Sequence, residues 1–149
     1  MMVKEKTATE SLLGEIYKEV RMGSDSLTDI LGKVTDKELR TELTRQIEEY
    51  GKFAKSAKEM LCECGVTPKE ENIMARMAAK VGMAMNTMTD ATTSHLAQMV
   101  IEGNTMGITE LTRLMREHEN KNCSEKTLSL ARDVIRFLED AVERTKTYL

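Results

Sequence analysis

The sequence has no tryptophan, one proline and eight glycines among 149 residues, and only 3% of its residues are aromatic. A turn-rich β-sandwich or β-barrel needs more of the residues that form tight turns, so this composition argues against both. Strong helix formers dominate instead, and the apolar fraction of 40% suffices for a core and is too high for a disordered chain. We therefore expect one all-α domain over residues 1–149.

The sequence also lacks an excess of one charge and a long apolar run. Its 22 basic and 25 acidic residues are mixed along the chain, which argues against a nucleic-acid partner. No apolar run reaches the roughly 18–20 residues of a membrane span, and residues 1–10 are too polar for a signal peptide. Three cysteines without framework spacing favour a reducing compartment. We predict a cytoplasmic protein that binds neither nucleic acid nor membrane.

A recurring N-cap motif divides the chain into helices. In this motif a Ser, Thr or Asn accepts a hydrogen bond from a free amide, and an acid follows three residues later. It occurs at Thr7/Glu10, Thr35/Glu38, Thr67/Glu70, Thr87/Asp90 and Asn122/Glu125. Pro68 suits a first helical position and Gly65 a helix C-terminus. The predicted helices are 8–33, 36–64, 68–84, 88–119 and 124–149.

The lengths of the links predict how these helices connect. Short links after residues 33 and 119 each force an antiparallel hairpin, giving hairpins 8–64 and 88–149. Segment 65–87 must then cross the length of the bundle, and the sequence leaves open whether 68–119 breaks near 82–90. Residues 22–31 resemble 106–115, as a duplicated hairpin would require, although chance explains this likeness equally well.

Apolar residues at three-four spacing assign an inward face to each long helix. The predicted inward residues are Leu13, Ile16, Val20, Leu27, Leu31, Val34, Leu39, Leu43, Gln46, Tyr50, Phe53, Ala57, Leu61, Cys64, Leu96, Met99, Val100, Gly103, Gly107, Leu111, Leu114, Leu128, Ala131, Ile135, Leu138, Val142, Thr145 and Leu149. Gly103 and Gly107 on this face favour a close approach of helices, or a large side chain such as Tyr50 opposite them.

Two helical hairpins joined by a crossover resemble the ferritin-like superfamily. Segment 95–107, HLAQMVIEGNTMG, is similar to the third helix of small bacterial ferritin-like proteins. The resemblance covers about residues 10–149 and implies a ferritin-like four-helix bundle of two antiparallel hairpins with a short crossover helix. Active members bind two metal ions, usually iron, through a Glu on helices one and three and a Glu-x-x-His on helices two and four.

The sequence departs from that metal-binding pattern. It has no Glu-x-x-His, and its only histidines are His95 and His118. No predicted inward face has an acid at its centre. The nearest acids lie on the flanks: Glu49, Glu102, Glu110 and Glu139. Because iron requires oxygen and nitrogen donors, we predict no cofactor, no metal ligands and no catalytic residues, with a degenerate one-metal site at Glu49, Glu102 and Glu139 as the alternative.

Methionine is abundant where aromatic residues are scarce, and nine of the 12 methionines lie between Met60 and Met115. One line of residues at helical spacing runs beside the inward face of predicted helix 88–119. We call it the methionine stripe: Met77, Met88, His95, Met99 and Met106. It makes that helix apolar over a wider arc than one bundle contact needs, so the stripe packs under the crossover helix or faces a second copy. A soft-metal or haem site is disfavoured because the thioethers are scattered.

The remaining residues suggest no chemistry. Cys62 and Cys64 point in opposite directions on a helix, so we expect Cys64 in the core, Cys62 partly exposed and Cys123 as a free thiol. No catalytic triad or phosphate-binding loop is present. The sequence predicts a non-catalytic ferritin-like bundle, structural or interacting, that forms a homodimer. The alternatives are a ferritin-like metal-binding oxidoreductase with a reduced ligand set and, from family likeness alone, a coat or spore-associated bundle.

Overall fold

The described part of the chain forms five α-helices and a final turn of 3-10 helix. The computed structural model describes the backbone of residues 6–68 and 72–149, and their side chains apart from 72–78 and 81. The helices are α1 (Ala8–Leu31), α2 (Lys37–Glu63), α3 (Asn72–Thr87), α4 (Thr93–His118) and α5 (Glu125–Thr145), followed by the 3-10 turn Lys146–Tyr148. No β-strand occurs within the described ranges, so the all-α prediction is confirmed there.

Four helices begin with a side-chain N-cap, as predicted, but only one of the capping residues is the predicted one. Thr7 caps α1 as predicted, since its hydroxyl accepts from the Glu10 amide at 3.0 Å. The other observed caps are Asp36, Thr92 and Ser124, and the predictions of Thr35, Thr87 and Asn122 are wrong. An N-cap needs an extended backbone, whereas Asn122 has a φ of 59° and Thr87 is the last residue of α3.

Helix α2 ends where the glycine predicted it would. Gly65 has a φ of 75°, and the amides of Gly65 and Val66 donate to the carbonyls of Cys62 and Leu61, both at 2.9 Å. These two bonds are those of a Schellman C-cap. The inward face of α2 therefore ends at Leu61, and the prediction that Cys64 is buried is wrong because this residue is exposed.

The crossover differs from its predicted limits. Pro68 is not helical, and α3 extends to Thr87, three residues beyond the predicted end at residue 84. Residues 88–92 then separate α3 from α4, so 68–119 is not one helix. The Thr67/Glu70 cap lies partly outside the described residues. Burial of Met85 gives α3 a reason to continue past residue 84.

Contacts between the helix ends establish the topology. The Ser124 amide donates to the Thr9 hydroxyl at 2.8 Å, and Lys126 Nζ lies 3.8 Å from the Glu63 carboxylate. The start of α1, the end of α2 and the start of α5 therefore share one end of the bundle. Within each hairpin the helices are antiparallel, so α2 and α4 run parallel and α3 must connect opposite ends. The hairpins pack α1 against α4 and α2 against α5, while α3 lies on α1.

The glycines show how closely the helices approach. A Cβ added at Gly23 would lie 2.5 Å from the ring of Tyr50, and one at Gly107 would lie 3.1 Å from Leu138. Gly103 is exposed, with nothing within 4 Å of such a Cβ, so its predicted packing role is wrong. The inward face of α4 passes through the buried Asn104 instead. Leu149 is also exposed, since α5 ends at Thr145.

Candidate functional site

Buried polar side chains run from the middle of the bundle, where the resemblance places a metal centre, to the end of the bundle at which α5 stops. Helix α2 contributes Glu42, Gln46 and Tyr50, α4 contributes Asn104, and α5 contributes Thr145. All five are buried, and we call them the polar core layer. The apolar spacing correctly predicts inward positions for Gln46, Tyr50 and Thr145 and does not reveal Glu42 or Asn104.

The polar core layer is one directed chain of hydrogen bonds. The Tyr50 hydroxyl donates to Asn104 Oδ1 at 2.7 Å, and Asn104 Nδ2 donates to Gln46 Oε1 at 3.2 Å. Gln46 Nε2 donates to Glu42 Oε2 at 2.9 Å and to the Thr145 hydroxyl at 3.0 Å. Among the described residues no buried side-chain nitrogen or oxygen lacks a partner. The layer therefore satisfies its own polar groups, which removes most of the cost of burying them.

This series of hydrogen bonds ends at Glu42, whose negative charge is balanced by two arginines. Arg45 Nη2 lies 2.8 Å from Glu42 Oε2, and Arg144 Nη1 lies 3.7 Å from Glu42 Oε1. Arg144 also donates to Asp140 at 2.9 Å. Glu42 is thus held between two cations and an amide donor, and a metal ion would have to displace these partners.

At the other end, Tyr50 sits in the only aromatic cluster of the described residues. Its ring meets Phe137 edge-on at a centroid distance of 5.0 Å, and Phe53 lies 5.5 Å from Phe137. Burial, with a smaller contribution from Glu19, raises the pKa of Tyr50 above its usual value. The phenol therefore remains neutral at physiological pH and serves as a hydrogen-bond donor to Asn104.

Glu19 is a third residue, after Glu42 and Asn104, that the apolar spacing does not reveal. It lies in the α1–α4 interface, where its Oε2 is 3.8 Å from the position of a Cβ at Gly107. Burial, followed by the nearby Glu110 carboxylate, raises the pKa of Glu19 to about 7. Glu19 escaped notice because it flanks the apolar line of α1. The absence of a side chain at Gly107 was the available signal, since it leaves room for a longer group opposite.

The three acids of the alternative one-metal site do not come together. Glu49 pairs with Lys52 at 3.0 Å, Glu102 accepts from Gln98 at 3.0 Å, and Glu139 is exposed. Across the described ranges, no group of three or more His, Cys, Asp or Glu residues is placed to hold a metal ion. The residues present therefore do not fit the di-metal centre that the resemblance implies.

The histidines and cysteines do not converge either. His95 and His118 lie near opposite ends of α4, about 35 Å apart at the helical rise of 1.5 Å per residue. His118 Nδ1 is 2.8 Å from the Leu114 carbonyl, a bond within its own helix. Cys62 is exposed, and Cys123 is half-buried beside the Thr9 hydroxyl at 3.9 Å.

The methionine stripe is divided between core and surface. Met88 and Met99 are half-buried and pack against the hydrophobic core, and His95 is half-buried. Met106 is 72% exposed, and the side chain of Met77 lies outside the described residues. The crossover helix α3 lies on α1 and so is not the main cover of α4.

The remaining surface offers few indications of a ligand. The large apolar side chains exposed in the described part are Met83, Met106 and Leu149. No helix there combines the length and the apolar character that crossing a membrane requires. Comparison with known proteins gave no match to a family model, a curated protein or a solved structure.

Proposed function

We propose that this chain is a ferritin-like bundle that acts as a structural or interaction module rather than as a metalloenzyme. The observation that carries this proposal is the polar core layer. Neutral amides and hydroxyls in the middle of the bundle bond to one another, from Tyr50 through Asn104 to Gln46, and the hydrogen bonds continue to Glu42 near the start of α2. A catalytic centre needs groups that are free to bind or to transfer protons, whereas these groups are committed to one another.

The hydrogen bonds of the polar core layer also support a structural role. These bonds join α2 to α4 and α5, so they link one hairpin to the other. If one hairpin shifted by one residue along the other, several buried donors and acceptors would lose their partners. Each unpaired group would cost about 1–3 kcal/mol of stability. The layer thus selects one alignment of the two hairpins, which a purely apolar core specifies less strictly.

The partner in this proposal is a second copy of the chain, bound through α4. Met99, Gly103 and Met106 follow one another at helical spacing on one side of α4. Gly103 and Met106 are exposed, and the bare backbone at Gly103 allows another helix to come close. Methionine adapts to irregular apolar partners, which suits such a contact.

The metal-free part of the proposal is tested by elemental analysis of protein purified without chelators. We expect iron, manganese and zinc far below one ion per chain, and no stoichiometric uptake when ferrous iron is added without oxygen. One or two ions per chain would contradict the proposal and favour the reduced-ligand oxidoreductase.

The association is tested by sedimentation velocity across a range of protein concentrations. We expect a concentration-dependent dimer that Met106→Glu converts to monomer, because a charge there would be buried on association. Thr105→Glu is the matched control, since it adds the same charge at an exposed neighbouring position of α4. A wild-type chain that stays monomeric, or equal loss of dimer in both variants, would contradict this surface.

A further inference from the structure

The α1–α4 interface contains a carboxylate that the polar core layer does not use. Glu19 extends from α1 toward Gly107 of α4, and Leu138 of α5 lies against the same glycine at 3.1 Å from the Cβ position. The Glu19 side chain is half-buried, and its carboxylate reaches a place bordered on one side by bare backbone and an aliphatic side chain. Such surroundings solvate an anion poorly.

The titratable groups around Glu19 come from three helices. Among the described residues they are Glu110 from α4, Lys18 and Glu15 from α1 itself, and the phenol of Tyr50 from α2. Lys18 favours the charged form of Glu19, whereas burial, Glu110 and Glu15 oppose it. The opposing effects are larger, because burial raises the pKa of Glu19 to about 7, with Glu110 adding to the rise.

Glu110 keeps its negative charge over the range in which Glu19 titrates. Arg113 bonds to Glu110 at 2.7 Å, and this hydrogen bond lowers the pKa of Glu110. Arg113 also lies 3.2 Å from Glu117, so its guanidinium is shared within α4. Glu19 therefore loses its proton opposite a permanent anion on the facing helix.

We propose that Glu19 and Glu110 form a proton-controlled latch between α1 and α4. With Glu19 protonated, the two helices pack closely at Gly107. When Glu19 is ionised, its carboxylate repels Glu110 and draws water into the interface, so this side of the bundle opens more often. The latch is independent of the proposed dimer, since it acts between two helices of one chain.

A carboxyl-carbon NMR titration of the full chain tests the latch directly, with the Glu19 signal assigned by its absence in Glu19→Gln. We expect the Glu19 signal to titrate near neutral pH. Glu110→Gln should move this midpoint to lower pH, because it removes the opposing charge. Glu102→Gln, an exposed acid elsewhere on α4, should leave it unchanged. A wild-type midpoint in the usual carboxyl range, or one that Glu110→Gln does not move, would overturn the latch.

Hydrogen–deuterium exchange tests whether titration opens the interface. After correction for the intrinsic pH dependence of exchange, peptides from the middle of α1 and α4 should exchange faster at about pH 8 than at about pH 6 in the wild type. Glu19→Gln should remove this difference, and Glu102→Gln should retain it. Equal pH dependence in wild type and Glu19→Gln would overturn the proposal. If Glu110→Gln folds poorly, the midpoint of the wild-type Glu19 titration remains decisive.

Discussion

At the scale of single residues, the fold depends on groups that no periodicity singles out. The Tyr50 hydroxyl is the first donor of the chain that runs to Glu42, and its acceptor, Asn104, is buried to 3% exposure. Removing that donor leaves an amide oxygen without its partner in a place that water reaches poorly. A buried acceptor in that state costs more than the hydrogen bond itself contributes.

We therefore expect Tyr50→Phe to lower the free energy of unfolding by about 1–3 kcal/mol, although it removes one atom. Urea denaturation followed by circular dichroism measures this change. Tyr148→Phe is the control, since that tyrosine lies outside the polar core layer, and it should change stability by less than about 0.5 kcal/mol. Equal stability of Tyr50→Phe and wild type would mean that the layer contributes nothing to stability.

At the scale of elements, the sequence predicts which helices exist better than where they begin. Thr7 and Gly65 mark their helix ends correctly. Among the hydroxyl residues near it, Thr7 is the one with an acid three residues later, and Gly65 is the one glycine near the end of α2. The other caps lie among several hydroxyls and carboxylates, such as Thr35 beside Asp36, and local chemistry does not choose between neighbours. Tertiary packing determines which of these neighbours becomes the N-cap, because it sets which residue has an extended backbone and a free amide within reach.

The candidate site was partly predictable for a related reason. A three-four pattern locates Gln46 and Thr145 because they continue an apolar line. It misses Asn104, because the exposed Gly103 beside it fits the same line equally well. Glu19 lies at the edge of such a line, and only the contact with the facing helix shows that it is half-buried in an interface. Side-chain pairing between distant helices is absent from a pattern within one helix.

The similar segments 22–31 and 106–115 each place a glycine opposite a large side chain of the next helix in the hairpin. Gly23 of residues 22–31 receives Tyr50, and Gly107 of residues 106–115 receives Leu138. In each case a glycine on the first helix of a hairpin makes room for a large side chain on the second helix. The likeness of the segments thus coincides with a shared packing role.

Two glycine-to-alanine variants should therefore have opposite effects. In Gly23→Ala the new methyl would lie 2.5–2.8 Å from the Tyr50 ring, and we expect a loss of about 1–3 kcal/mol through overpacking. In Gly103→Ala nothing lies within 4 Å, so the better helix propensity of alanine should add up to about 1 kcal/mol. Urea denaturation at dilute protein measures both, and a stabilising Gly23→Ala would contradict the close contact with Tyr50.

At the scale of the whole molecule, two kinds of polar contact join the hairpins in addition to the shared apolar core. The polar core layer joins α2 to α4 and α5 through neutral hydrogen bonds, which change little with pH near neutrality. The α1–α4 interface contains Glu19, whose charge depends on pH in that range. The pH dependence of stability near neutrality should therefore come largely from this interface.

The sign of that dependence follows from the two pKa values of Glu19. Its pKa is about 7 in the folded chain and near the ordinary 4.5 in the unfolded chain, so between these values the folded state holds a proton that the unfolded state has released. Stability is then unaffected by Glu19 below about pH 4.5, falls between about pH 4.5 and 7, and levels off above 7, with a total loss on the order of 3 kcal/mol. Chemical denaturation of wild type and Glu19→Gln at a series of pH values measures this loss. The neutral glutamine should flatten the curve, so that the variant is the more stable protein at pH values above 7. Parallel curves for the two proteins would show that Glu19 ionises freely in the folded state.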